Sequence, residues 1–416
     1  MTDHNPQPIT HIPQPLLTSE PGSFARATIV ERKPEIIRRI IADNAYPPDI
    51  VATLEAFQDE IASDPIAPLT EDAPDVAFWN RHQARYTGKT WLEVPWYFAE
   101  TYFYRRLLEV ARYFQPGRWQ GVDPFAPQKR EQEVTAIAQL ATVWTAIEQL
   151  PPEERFVLLL HSALWGNRAD LSNFTVKESA HRGLDAHTER DNLLIDDTKA
   201  VLAFFCQRIS TDEREKSVDT VAFINDNVGA DSLFDLALAD FLLTQGWARN
   251  IVFYLKNQPF FVSDATPWDI LRVIQQLQAS SNPAVAALGD RLYNALLPTP
   301  YSLLSAPLSL ITDPFWTSCL TFHQLPPTLR ATLSQADLTI LKGDVNYRRL
   351  LDDRHWPHTT PVTAADAGFP KPYLILRTLK GEIMIGLQPG QVESLAAEDA
   401  TWLINGKRGV VQFIKD

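Results

Sequence analysis

From Thr220 to about Lys380 the chain alternates between two patterns, and that alternation limits the folds open to it more than any other feature. TVAFIN reads as a strand, and DSLFDLALADFLL as a helix with Leu233, Ala237 and Phe241 in line. NIVFYLK is a strand and PWDILRVIQQLQA a helix; ADLTILKGD is a strand with its turn, and YLILRTLK another strand. Such alternation predicts an α/β fold, because parallel strands need crossovers and the crossovers are usually helical. No internal repeat is visible.

Ahead of this region the pattern is helical. IVERKPEIIRRII places Ile36, Ile37, Ile40 and Ile41 on one apolar stripe. Residues 91–113 are aromatic-rich and apolar on more than one face, so they read as a buried helix whose rings are core. VTAIAQLATVWTAIEQL is a further helix ended by Pro151-Pro152. The expected organisation is a mobile or wrapping arm (residues 1–22), a helical domain (23–155) and an α/β/α catalytic domain with a central, mostly parallel sheet (156–416). Between Phe156 and Leu202 the pattern is still mostly helical, with polar loops. The Pro-rich stretch from Leu297 to Pro314 reads as an insertion or connection without a legible element.

Composition narrows the function classes. The 416 residues are 45% hydrophobic and 21% charged, as for a globular chain with a real core. A net charge of -13 disfavours a general binder of nucleic acid or anionic membrane. Cys206 and Cys319 are the only cysteines, so neither a disulfide framework nor a Cys-rich zinc site is expected. The start, MTDHNPQPIT, lacks a basic n-region followed by an apolar h-region, and no apolar run approaches the roughly 18 residues of a membrane span. The expectation is a soluble cytoplasmic protein.

The polar residues at the strand ends carry the chemistry. In FINDNVGADSLFD an apolar run stops at Asp226-Asn227 and Gly229 follows. One reading is a strand-to-helix turn in which these side chains bond the local backbone; the other is a metal-binding edge of an active site. Three more polar groups fall after candidate strands: Asp264 in FFVSDAT, Lys342-Gly343-Asp344-Val345-Asn346 after LTIL, and Arg377-Thr378-Leu379-Lys380 after YLIL. Ligands of open α/β sheets bind outside the carboxyl ends of the strands. Two carboxylates and an amide oxygen suit Mg²⁺ or Mn²⁺, and lysines with glycine-adjacent N–H groups suit a phosphate. A metal and a cationic clamp around one phosphoryl group is an arrangement that hydrolyses phosphate esters.

Other polar residues carry less. His161 and His181 are irregularly spaced for a metal site. Asp196-Asp197 precede TKAVLAFF and read first as a helix cap, with metal binding as the alternative. Asn167 and Asp170 could line a pocket or tie down a domain junction. Asp235 and Asp240 lie on the helix after the Asp-Asn pair; Asp240 reads as structural. No GxxxxGK[ST] loop, GxGxxG turn or GxSxG elbow occurs, which argues against a P-loop ATPase, a dinucleotide enzyme and a serine hydrolase.

The segments DNVG, VSDAT, KGDVNYRRL and RTLK, with GSFARATIVERKPEIIRRII, AETYFYRRLLEV, LWGNRADLS and LLIDDTKAV upstream, resemble the metal-dependent damage-control phosphatases. The resemblance is closest to the subfamily with the RTxK motif, the acidic residue methyltransferase-like or sugar-phosphate phosphatases, and runs from about Gly22 to Lys380. It implies a helical domain followed by an α/β domain and hydrolysis of phosphometabolites with a divalent metal (Mn²⁺, Co²⁺, Ni²⁺ or Mg²⁺). Sugar phosphates such as fructose 1-phosphate or fructose 6-phosphate are the implied substrates. It further implies Asp226, Asn227 and Asp264 as catalytic metal ligands, with Asp226 and Asn227 also touching substrate. Asp344, Val345, Asn346, Tyr347 and Arg348 would contact substrate, Asp344 through sugar hydroxyls or a proton transfer, and Lys380 would hold the phosphate. Arg377 could instead pair with a carboxylate and orient the loop. Where the family usually reads AGFE after its Asp-Asn pair, this chain has VGAD, with Asp231 in the acidic place. The implied partner is a small phosphorylated metabolite, with no nucleic acid, membrane or obligate protein partner. An S-adenosylmethionine-dependent protein carboxyl methyltransferase is the alternative, weakened by the lack of a glycine-rich cofactor loop; a non-catalytic binding protein of the same fold is a third.

Overall fold

In the computed structural model, residues 12–166, 191–209, 218–298 and 306–415 are described. Their strands are β1 (Leu193–Asp196), β2 (Val218–Ile224), β3 (Ala248–Leu255), β4 (Leu308–Thr312), β5 (Leu338–Lys342), β6 (Tyr373–Thr378) and β7 (Gly409–Ile414). They form one sheet in the order β1-β7-β6-β5-β2-β3-β4. β6, β5, β2, β3 and β4 are mutually parallel, β7 runs antiparallel to β6, and β1 runs parallel to β7. The fold is thus α/β with a mostly parallel sheet.

Strand periodicity explains the layers. Val221 and Phe223 of β2, Ile251 and Phe253 of β3, Ile340 of β5, and Leu374 and Leu376 of β6 face one apolar cluster. Ala222, Ile224, Tyr254, Leu341, Tyr373 and Ile375, their neighbours in sequence, face the other. The strands are therefore apolar on both sides, as parallel strands covered by helices must be. The first face is covered by the helices Pro152–Trp165 and Ala230–Thr244 among others. The helix Ala126–Glu148, which reads in sequence as part of the N-terminal helices, buries its apolar side in the same cluster against helices that include Ala230–Thr244. A third cluster joins Ile29, Ile37, Phe57, Trp91, Tyr102 and Phe125, and the aromatic helix Trp96–Val110 is buried on nearly all sides. Residues 12–22 lie across the surface of the body: Leu16 is buried, its N–H donates to the Asp353 carbonyl and its carbonyl accepts from Trp96 N–H.

Three strands differ from the sequence reading. β1 lies where helix and loop were expected, and β7 was not read at all. β4 sits in the Pro-rich stretch. It pairs with β3 alone, so it is an edge strand, where a flanking proline is tolerated; the carbonyl of Pro307 even accepts from Ile251 N–H. Asp264, expected after a strand, belongs to a turn and an isolated bridge with Asn227. Asp196 does cap the next helix, its carboxylate accepting from Thr198 N–H, and Asp197 accepts from Phe413 N–H on β7. His161 is buried with Nε2 2.9 Å from Thr198 Oγ1. Asp240 pairs with Arg291 at 2.9 Å. Asn167, Asp170 and His181 lie outside the described residues. Among the described residues no helix is long and apolar enough to cross a membrane.

Candidate active site

The chain passes from β2 outward to β3 and β4, then returns to lay β5 on the other side of β2. Such a reversal opens a crevice at the carboxyl ends of the two flanking strands. β2 ends at Ile224 and continues as Asn225-Asp226-Asn227; β5 ends at Lys342 and continues as Gly343-Asp344. A cavity of about 220 Å³ stands over this point. Asp226, Asn227, Asp231, Asp264, Lys342, Asp344, Val345 and Lys380 line it, together with groups from the N-terminal helices.

Backbone pairing brings the acids together across sequence. Ala265 N–H donates to the Asp226 carbonyl (2.8 Å) and Val228 N–H to the Ser263 carbonyl (2.7 Å), so Asp264 is held beside Asn227. The Asn227 amide donates to Asp226 Oδ2 (2.7 Å) and Asp231 Oδ2 (3.0 Å) and accepts from Ser263 Oγ (2.6 Å). Asp231 therefore orients Asn227, and its reach is set by Gly166: a Cβ there would stand 1.6 Å from Asp231 Oδ1. Gly343 has the same role for Asp226. Its φ is +80°, and a Cβ would fall 1.8 Å from Asp226 Oδ2. Gly343→Ala should combine left-handed backbone strain with that collision and cost at least about 2 kcal/mol of stability. A urea unfolding curve checks this, and a loss within experimental error would show that Asp226 can move aside.

Burial, and then the negative charge of Asp264, raise the Asp226 carboxyl well above the ordinary range. Burial likewise raises Asp264, opposed by Lys256, whose ammonium lies 3.0 Å from Asp264 Oδ2. That oxygen is buried, with the Lys256 ammonium against it. Two buried carboxylates that repel one another and an adjacent amide are a donor set that fits a hard divalent cation. Among the described residues no group of three or more His, Cys, Asp or Glu side chains is placed to hold a metal. An ion here would therefore draw on Asn227 and on water or ligand oxygens besides Asp226 and Asp264.

The segment after β5 divides into two parts. Asp344 and Val345 line the cavity. Burial alone would raise the Asp344 carboxyl, but the guanidinium groups of Arg377 (2.6 Å) and Arg348 (2.8 Å) outweigh it and hold it down at about 2. An acid so firmly ionised accepts hydrogen bonds at neutral pH and has no proton to donate. Arg377 thus takes the carboxylate-pairing role, stacked over Tyr347 at 4.1 Å. The side chains of Asn346, Tyr347 and Arg348, expected to contact substrate, are held by protein groups and do not line the cavity. Asn346 donates to the carbonyls of Ile224 and Lys342, Tyr347 is core, and Arg348 joins Asp344 to Asp353. What this segment can still offer a ligand is main chain, because the first N–H groups of the helix Gly343–Leu350 lack intrahelical acceptors.

The two lysines also differ. Lys342 is buried, paired with Asp235 Oδ1 at 2.6 Å and bonded to the Ala163 carbonyl, so it braces β5 against the neighbouring helices. Asp235→Ala should strand this ammonium and cost about 3–5 kcal/mol; a chemical-denaturation loss below about 1 kcal/mol would contradict the bracing role. Lys380, two residues beyond β6, is exposed and makes no hydrogen bond or ion pair among the described residues. Sequence reasoning missed Lys256 although it follows β3 directly, the signal used for the other groups. It also missed Ser263, Arg32 and Tyr104, the last two lying on helices far away in sequence.

Fold and cavity together define a class: α/β proteins that present buried oxygen donors and an exposed ammonium at the switch point of the sheet. The family model for the damage-control phosphatase ARMT1-like domain matches residues 28–395, and the chain belongs to that family. Its relatives include damage-control phosphatase ARMT1 of Danio rerio, 31% identical over 96% of this chain and 97% of the relative. That of Bos taurus is 32% identical over 96% and 98%, and that of Homo sapiens 30% over 97% and 98%. A crystal structure of a DUF89 family protein from Pyrococcus horikoshii is similar at 14% identity, with a TM-score of 0.47 over 94% of this chain and 98% of that one.

Proposed function

We propose that the chain is a metal-dependent phosphatase that hydrolyses small phosphorylated metabolites, sugar phosphates in particular. The observation that carries this reading is the pairing of two buried, mutually repelling carboxylates, Asp226 and Asp264, with an unpaired lysine, Lys380, around one cavity. Asp226, Asp264 and the Asn227 amide oxygen would hold the divalent cation, Mn²⁺, Co²⁺, Ni²⁺ or Mg²⁺. When bound, that cation supplies Lewis acidity toward a phosphoryl oxygen and lowers the pKa of water. Lys380 donates to the phosphoryl oxygens as a compact charge on a flexible stem. The N-terminal N–H groups of the helix Gly343–Leu350 support the same negative charge. Asp344 accepts from a hydroxyl of the substrate. Hydrolysis adds water at phosphorus and breaks the ester P–O bond, and the leaving oxygen gains a proton. The name shared by the relatives, damage-control phosphatase, supports the reaction class.

The test is a panel of phosphometabolites, including fructose 1-phosphate and fructose 6-phosphate, screened for phosphate release with Mn²⁺ and with EDTA. Release that needs the metal and favours sugar phosphates is the expected result. Release unaffected by EDTA would remove the metal from the account, and methyl transfer to a protein carboxylate without any phosphate release would replace the reaction.

A further inference from the structure

The cavity has a second wall, supplied by the N-terminal helices, and two of its donor side chains make no hydrogen bond among the described residues. Arg32 ends the π-helical turn Thr28–Arg32. It is exposed and lines the cavity, and its guanidinium makes no hydrogen bond or ion pair among the described residues. π-Helical turns inside helices concentrate at functional sites. Tyr104 is 1% exposed. Its ring is fixed among Phe125, Phe260 and Phe261, with the Lys33 ammonium 4.6 Å from its centroid. Yet its hydroxyl makes no hydrogen bond among the described residues, although it lines the cavity. A hydroxyl on so enclosed a ring is normally hydrogen-bonded. Among the described residues nothing satisfies it, which leaves it to a ligand or water in the cavity.

The surrounding charges say what kind of ligand. Arg32 lies in the field of Tyr104, Glu100 and Asp344. Lys380, by contrast, is among the groups acting on Asp226. Glu100 is neutralised by Lys33 at 2.5 Å. Asp344, anchored by its two arginines, presents an ionised acceptor. This end of the cavity therefore offers two donors, the firm acceptor Asp344 and the buried Oε2 of Glu100, but little net positive charge. A second phosphate or carboxylate would meet Asp344 and gain only Arg32. A hydroxyl-rich group matches both halves, accepting from Arg32 and Tyr104 and donating to Asp344.

We propose that Arg32 and Tyr104 form a specificity subsite that binds the uncharged, hydroxyl-rich end of a phosphate ester, while the phosphoryl group lies at Asp226, Asp264 and Lys380. This rests on the phosphatase reading for the position of the phosphoryl group. The volume of about 220 Å³ keeps the ester small, below the roughly 300–1,000 Å³ of pockets for drug-sized ligands.

The experiment compares the full-length Mn²⁺-loaded chain with Arg32→Ala, Arg32→Lys and Tyr104→Phe on three esters: fructose 6-phosphate, fructose 1,6-bisphosphate and p-nitrophenyl phosphate. For fructose 6-phosphate, kcat/KM should fall about 10- to 100-fold in Arg32→Ala and about 10-fold in Tyr104→Phe, carried mainly by KM. The loss on p-nitrophenyl phosphate, which has no hydroxyls, should be at least about fivefold smaller, and Arg32→Lys should restore part of the activity. Equal losses on the two monoesters would overturn the proposal, because a structural or phosphoryl-end role affects both alike; so would no loss at all. A wild-type preference for the bisphosphate that disappears in Arg32→Ala would overturn the uncharged-end assignment. If the wild type releases phosphate from none of the esters, the activity reading fails by itself. The subsite is then decided by calorimetric binding of fructose 6-phosphate to the Mn²⁺-loaded chain. Weaker binding by Arg32→Ala would uphold it, and equal or absent binding would overturn it.

Discussion

Asp226→Ala should abolish metal-dependent turnover, lowering kcat by at least about a thousandfold, the scale of several kcal/mol of lost transition-state stabilisation. The reason lies in position. Asp226 leaves the end of β2 into the crevice, Gly343 gives it room, and Asp264 stands close enough to raise its carboxyl. It supplies one of only two carboxylates that the metal reading uses. The same geometry predicts an opposite effect on stability. Without metal, two buried acids repel one another, so Asp226→Asn should give a metal-free chain with a higher Tm than wild type, and Mn²⁺ should no longer raise it. Thermal melts with and without Mn²⁺ read both effects. A variant that lost activity yet kept a wild-type Mn²⁺ shift in Tm would show that Asp226 does something other than hold the ion.

Lys380→Ala should reduce kcat/KM for sugar phosphates by about 10- to 1000-fold, since one charge-assisted contact to a developing charge contributes roughly 1.5–4 kcal/mol. Lys380 is exposed and makes no hydrogen bond or ion pair among the described residues. The fold should therefore be undisturbed, with an unchanged unfolding midpoint, and Mn²⁺ affinity should survive. Lys342 supplies the internal contrast. It also lines the cavity, but its ammonium is committed to Asp235 and the Ala163 carbonyl, so removing it should damage stability first. Wild-type kinetics in Lys380→Ala would mean that the phosphoryl group lies elsewhere in the cavity.

The legible part of this protein was the part written in short-range patterns. Strand-helix alternation gave the parallel centre of the sheet, because β2, β3, β5 and β6 are apolar on both faces and end in polar residues. β1 and β4 escaped as short edge strands, β4 beside a proline that an edge position permits. The residues that line the carboxyl edge could be named from their place after strands. Their division of labour could not, since it depends on contacts across the chain. Asp344 is an anchored acceptor because Arg377, 33 residues away, reaches it. Asn346 and Arg348 are structural because Ile224 and Asp353 claim them. Arg32 and Tyr104 carry no local signal, and only the packing of the N-terminal helices over the sheet brings them to the cavity.

The most direct test of the central claim is a calorimetric Mn²⁺ titration of the EDTA-stripped chain, with phosphate release from fructose 6-phosphate measured at each metal concentration. The account predicts one Mn²⁺ per chain and activity that rises from none in step with occupancy, with both curves lost in Asp226→Ala. Full activity in the stripped chain, or Mn²⁺ binding that persists unchanged in Asp226→Ala, would contradict it.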